Sequence, residues 1–442
     1  MSMKWAKAFP KIETHVRFLP EEEAIAIVRD PRLRARDDRV LQNLISLAQS
    51  TGQPAHWKLL TRRVRRGVLQ ALRYPERYLF NYPSPGQLRM PRPGDAPLLR
   101  MPNDLIFFVG IGLNGSCLNI IIVVRTGAGK TTLLMVILIA WSGFGTIIAF
   151  ENKRELARIA NYAQPGEVVL LDAKDIHLSL SDGLEFMSLE EHVAQISGLF
   201  AGALNLHASQ RLFTALCHEA FRRQGPSGLS LRNLVSLAEK INAAQTSKSG
   251  TYRDSLLFAL RDLLQRSGSV FDSAQSNFLK QMFSQGRTYI INWGGLTTDS
   301  ATLLASLMYR YAYEWRRATG KNHPPIVIVA DDALSFVSGS KARESEGHAN
   351  PFAVYSHMGR SLGVGLITVA HNYSLISPTL RHNTDTVISL GSHGDDASAL
   401  ARFMSLTPEQ AEMLPRIRPG TGIAITRSLW PYAVMGAVPM IV

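Results

Sequence analysis

The run Arg125-Thr126-Gly127-Ala128-Gly129-Lys130-Thr131-Thr132 gathers glycines, a lysine and hydroxyls in one short loop. It sits between an apolar strand-like segment and an apolar helix-like one. Glycines let the backbone curl closely enough for its N–H groups to point at a phosphate, and a helix N-terminus adds partial positive charge. In such a loop Thr126, Gly127, Ala128, Gly129, Lys130, Thr131 and Thr132 cradle a nucleotide's phosphates. Lys130 reaches the β- and γ-phosphates, and the Thr131 hydroxyl ligates Mg²⁺. The spacing departs from G-x-x-x-x-G-K-[ST] at its first position, where Val124 stands in place of glycine.

A second site of chemistry is Pro325-Ile326-Val327-Ile328-Val329-Ala330-Asp331-Asp332, an apolar strand ending in two carboxylates. Hydrolysis of a nucleoside triphosphate needs one acid on the Mg²⁺ shell and another beside the attacking water. Asp331 suits the first role and Asp332 the second. Asp332 is one methylene shorter than the more usual glutamate. The expected cofactors are therefore ATP and Mg²⁺, with Thr131 and Asp331 as metal ligands. No nucleophile–base triad and no other metal-ligand spacing is visible. The two cysteines, Cys117 and Cys217, are far apart and without a His/Cys cluster, which excludes a disulfide framework or a zinc site of recognisable spacing.

These residues must be held by an α/β scaffold. Strands are expected at Asn119 to Val124, Thr146 to Phe150, Val168 to Leu171, Thr288 to Asn292, Ile326 to Ala330, Gly365 to Ala370 and Thr386 to Leu390. Helices are expected at Thr131 to Trp141 and Thr302 to Thr319. Strands alternating with helices imply a mainly parallel sheet covered on both faces. The segment of about 189–283 reads as a helical insertion that includes an amphipathic run from Leu204 to Arg223. Residues 1–81 read as a helical N-terminal region. In it, Glu21 to Arg29, Leu41 to Gln49 and the basic amphipathic stretch Trp57 to Tyr74 carry the helical pattern. Residues 82–103 are rich in proline, which fixes φ and removes an amide donor, so they read as a linker or extended arm before an ATPase domain spanning 104–442.

Four segments resemble the FtsK/HerA group of P-loop ATPases, to which conjugative coupling ATPases are related. They are Thr126 to Thr131, the strand Ile147-Ile148-Ala149-Phe150-Glu151-Asn152-Lys153, the Asp331-Asp332 strand, and His357-Met358-Gly359-Arg360 running through Gly365 to Ala370-His371-Asn372. The resemblance covers about residues 104–440, loosely over the helical insertion. It implies a RecA-like core, a hexameric ring and translocation on double-stranded DNA. It also implies that His371 takes the place of a polar sensor, usually glutamine, and that Arg360 reaches into the neighbouring subunit's nucleotide site, with Arg381 as a second candidate. The departures at Val124, Asp332 and His371 leave an alternative: an ATP-binding assembly or secretion subunit that engages a protein partner, with weak hydrolysis. A nucleotide switch that forms no ring is a third reading.

Net charge is +13 over 442 residues, which favours a polyanionic partner. Lys341 and Arg343, in the polar stretch after Asp332, are candidate DNA contacts, and the N-terminal region is a candidate protein-docking surface. The start, Met1-Ser2-Met3-Lys4-Trp5, lacks the apolar core of a signal peptide. The apolar stretches Leu105 to Val124 and Leu133 to Phe150 are broken by glycine and polar residues. The expectation is a cytoplasmic protein with no integral membrane segment.

Overall fold

The computed structural model describes residues 39–51, 59, most of 80–110, 119–241, 248–273, 277–320, 324–331 and 351–439. Among these, eleven strands form one sheet in the order β2-β1-β11-β10-β9-β3-β8-β7-β4-β6-β5. Strand β3 (Ile120–Val124) lies at its centre, with five strands on each side. From β9 (Thr386–Leu390) through β3, β8 (Val364–Ala370), β7 (Ile326–Ala330), β4 (Thr146–Glu151) and β6 (Thr288–Asn292) to β5 (Val168–Asp172), all pairings are parallel. Strands β3, β7, β8 and β9 are buried along their whole length. The uninterrupted apolar runs of β3 and β7 are what a strand covered on both faces requires, while β8 and β9 bury small interruptions at Gly365, Thr368, Thr386 and Ser389.

The other flank is antiparallel. Strands β10 (Thr421–Thr426) and β11 (Trp430–Ala437) form a hairpin beside β9, followed outward by β1 (Asp95–Arg100) and β2 (Ile106–Gly110). This corrects the expectation of a linker over 82–103. The proline-rich stretch contributes a strand to the same sheet, and Phe80, Leu98 and Leu99 are fully buried in the common core. Pro97 is tolerated where the β1–β2 register shifts, since a bulge spares a ladder donor. Gly436 permits the close approach of β1 to β11: a Cβ there would lie 2.5 Å from the Arg100 carbonyl oxygen.

Helix α1 (Arg39–Thr51) bears out the helical reading of Leu41 to Gln49, and the other two N-terminal helical stretches lie largely or wholly outside the described residues. Helix α2 (Lys130–Trp141) follows β3. Between β5 and β6 comes a helical layer: α3 (Leu189–Leu204), α4 (Gln210–Gln224), α5 (Leu231–Glu239), α6 (Lys248–Phe271) and α7 (Phe278–Ser284). The periodic run Leu204 to Arg223 is not one helix. Asn205 adopts a left-handed conformation (φ 56°) that stops α3, and α4 restarts at Gln210. Helix α8 (Thr298–Thr319), capped by the Thr297 hydroxyl, joins β6 to β7. Helix α9 (Pro351–Gly359) leads through a short 3₁₀ turn, Arg360–Leu362, into β8. No helix among the described residues is long and apolar enough to cross a membrane.

Candidate nucleotide site

Strand β3 is apolar to its last residue because it is covered on both faces, so the chain must turn out of the sheet after Val124. Gly127 (φ 75°) and Gly129 (φ 104°) take left-handed conformations in that turn, and Gly129 caps α2. A Cβ on Gly127 would meet nothing within 4 Å, so open space lies beside the loop. Helix α2 has no acidic residue in its first turn, leaving its N–H groups and partial positive charge to an incoming anion. The loop therefore fits a polyphosphate.

Strands β7 and β8 end level with β3. Ala370 is paired with Val123, and Ala330 with Thr368. One strand, β8, thus separates the phosphate loop from the acidic strand. Across that gap the Lys130 Nζ meets Asp331 Oδ1 at 3.0 Å, each side chain being only about one-seventh exposed (14% and 13%). His371, at the end of the intervening strand, stands between them, and its Nδ1 lies 3.0 Å from the Val124 carbonyl oxygen. A carbonyl only accepts, so Nδ1 carries the proton and donates. In the neutral ring Nε2 is then an acceptor. Lys130, Thr131, Asp331 and His371 therefore lie at the same edge of the sheet. Asp332, Lys341 and Arg343 lie outside the described residues.

Thr131 makes a contact that spacing does not reveal. Its Oγ1 donates to Glu155 Oε2 at 2.6 Å. Glu151, the last residue of β4, is buried and its Oε2 accepts from the Leu156 amide at 2.9 Å. Burial pushes the Glu151 carboxyl above its ordinary range, with Asp331 and Glu155 adding repulsion, while the amides of Leu156 and Glu155 pull it back. Asp331 and Glu155 thus contact Lys130 and Thr131, and Glu151 feels the charge of both acids. The acid at Glu151 was visible in the sequence; Glu155, four residues on, was not singled out.

The loop is also fastened to the antiparallel flank. Arg125 donates to the carbonyl of Ile417 (3.0 Å) and of Pro415 (3.4 Å), and its Nη1 lies 3.3 Å from His393 Nε2. The Gly420 amide donates to the Ala128 carbonyl at 3.2 Å. Where the first motif glycine is missing, the loop's position is set from the opposite side by the turn that leads into β10.

Arg360 is exposed, at the start of β8 rather than its end. A seven-residue strand lies between it and the phosphate loop's edge of the sheet, about 20 Å at ~3.3 Å per residue. It cannot reach the nucleotide cradle of its own chain. Arg381 is half-buried over the Tyr373 ring, 5.3 Å from its centroid, and so is engaged within its own fold.

No family model and no curated protein matches the chain by sequence. Solved structures do match in shape. VirB4 of Thermoanaerobacter pseudethanolicus superposes with a TM-score of 0.60 at 13% identity, over 80% of this chain and 98% of that one. The plasmid coupling protein TrwB superposes with a TM-score of 0.60 at 13% identity, over 82% of this chain and 94% of its own. TrwB has been solved with the ATP analogue ADPNP and with ADP and Mg²⁺. The fold of this chain is accordingly the P-loop NTPase α/β fold of those proteins.

Proposed function

We propose that this chain hydrolyses ATP and uses the energy to move along double-stranded DNA as one subunit of a six-membered ring, as in the FtsK/HerA group it resembles. The observation that carries the reading is the glycine loop, with open space beside it, facing the Lys130–Asp331 pair across a single strand that ends in His371. In that arrangement Lys130 exchanges Asp331 for the β- and γ-phosphates. Thr131 and Asp331 would hold Mg²⁺, which when bound offsets charge on the phosphate oxygens. Asp332 takes the proton of the attacking water, and His371 orients that water by accepting from it at Nε2. The exposed position of Arg360, far from its own cradle, supports a role in a neighbour's site, where a guanidinium stabilises charge on the transferring phosphoryl group. The net charge of +13 supports a polyanionic track.

The test is the steady-state ATPase rate with and without long double-stranded DNA at two salt concentrations. Stimulation that fades as salt rises is expected, because phosphate contacts release counterions. Turnover indifferent to DNA at both salts would overturn the motor reading and favour an ATP-binding assembly subunit acting on a protein.

A further inference from the structure

We propose that Glu155 is a positioning residue for the metal: it accepts the hydrogen bond of the Thr131 hydroxyl and so turns that oxygen's lone pairs toward the Mg²⁺ of a bound nucleotide. This deepens the nucleotide-site reading above and rests on it. A threonine hydroxyl has one proton and two lone pairs, and it can ligate a cation only if the proton points elsewhere. Here the proton points to Glu155 Oε2 at 2.6 Å. Asp331 is held by Lys130 at 3.0 Å, and the hydrogen bond to Thr131 belongs to Glu155.

The placement of Glu155 is set by main chain and not by its own flexible side chain. Glu151 ends β4, paired on one side with Asn292 of β6. Its buried carboxylate accepts from the Leu156 amide and is also held by the amide of Glu155 itself. This fixes the start of the 3₁₀ turn Leu156–Asn161, and Leu156 and Ile159 are buried in the core. The turn packs against α2, the helix that carries Thr131. Acid at one end of β4 thereby aims a second acid at the hydroxyl. With Asp331 opposite, the three carboxylates leave an excess of negative charge beside Lys130, which a divalent cation offsets.

The test is equilibrium binding of ADP to the full chain, with excess Mg²⁺ and with EDTA, for the wild type, Glu155→Gln and Glu155→Ala. The readout is the ratio of the two affinities, which a merely structural role would not move. A residue supporting a metal ligand typically changes metal affinity by about tenfold or more. Glu155→Ala is therefore expected to lose about tenfold of the Mg²⁺-dependent tightening while its affinity in EDTA stays within about twofold of wild type. Glu155→Gln keeps an acceptor without the charge and should fall between. An unchanged ratio in Glu155→Ala would overturn the proposal, and so would an equal loss with Mg²⁺ and with EDTA. A wild type that binds no ADP under either condition would instead overturn the nucleotide-site reading itself.

Discussion

The two flanks of the sheet are fastened by different physics. The antiparallel flank, from β10 outward to β2, is held by apolar burial: Leu98, Leu99, Phe107, Ile423 and Val434 are almost wholly withdrawn from water. The parallel flank carries the helical layer inserted between β5 and β6, and part of that layer is held by a buried polar network. Arg310 of α8, 1% exposed, donates to His192 Nδ1 (2.6 Å), Gln195 Oε1 (2.8 Å) and the Asp182 carbonyl (3.1 Å). Gln195 in turn donates to buried Glu314, which pairs with Arg317 at 2.8 Å. Apolar burial is tolerant of geometry and indifferent to pH, whereas a buried guanidinium demands every partner. The phosphate loop is tied to both flanks, with Lys130 turned to the parallel side and Arg125 to the turn that leads into the antiparallel one.

The comparison breaks most sharply at Lys130. Lys130→Ala removes the charge on the parallel side that meets the phosphates, and turnover should fall about a thousandfold, about 4 kcal/mol of transition-state stabilisation. ATP turnover by the purified variant measures this, and a rate close to wild type would remove the phosphate-loop assignment. The next effect tests the other flank. Leu99 is fully buried against Gly422 and Gly436 of the hairpin. Leu99→Ala should cost about 3 kcal/mol in denaturant unfolding. An arm lying outside the core would lose almost nothing.

The same contrast explains what the sequence disclosed. Strands β3 and β7 announce themselves because burial on both faces favours an uninterrupted apolar run, as in Ile120–Val124, and β8 and β9 remain legible with only Thr368, Thr386 and Ser389 as polar interruptions. Strand β1 does not, since Asp-Ala-Pro-Leu-Leu-Arg contains a proline and only its register with β2 and β11 makes it a strand. The break at Asn205 was hidden because the apolar periodicity continues through it, and only the backbone conformation reveals the stop. At the site, Lys130, Thr131 and Asp331 were legible from local spacing. The partners of Arg125 and Thr131 were not, because Ile417 and Glu155 reach them through tertiary folding alone.

A smaller effect sharpens the role of the seam. Arg125→Ala removes the fastening to Ile417, Pro415 and His393 while leaving Lys130 and Asp331 intact. Nucleotide affinity should weaken about tenfold, about 1.4 kcal/mol, through a less ordered loop. Affinity equal to wild type in titration calorimetry would mean that the glycines alone hold the cradle.

The smallest effect isolates the polar fastening by pH. Burial pushes the Asp182 carboxyl up to about 7, opposed by the Ser179 amide and Arg310 and reinforced by Glu185. Burial, then the Arg310 charge, pushes His192 down to about 3, while its hydrogen bond to the Leu180 carbonyl opposes. Between about pH 4 and 6.5 the unfolded chain has Asp182 ionised and His192 protonated, and the folded chain has the reverse. Each state therefore holds one proton on the pair, and the two contributions to the pH slope cancel. Removing one partner exposes the other. In Asp182→Asn only His192 remains, the unfolded state binds the extra proton, and stability relative to wild type should rise with pH. In His192→Gln only Asp182 remains, the folded state binds the extra proton, and stability should fall as pH rises. Each slope should approach 1.4 kcal/mol per pH unit, giving about 1 kcal/mol between about pH 4.5 and 5.5. Denaturant unfolding at those two pH values reads the difference. Slopes of the same sign in the two variants would show that the pair does not carry opposite protons, while Leu99→Ala, on the apolar flank, should track the wild-type pH profile throughout.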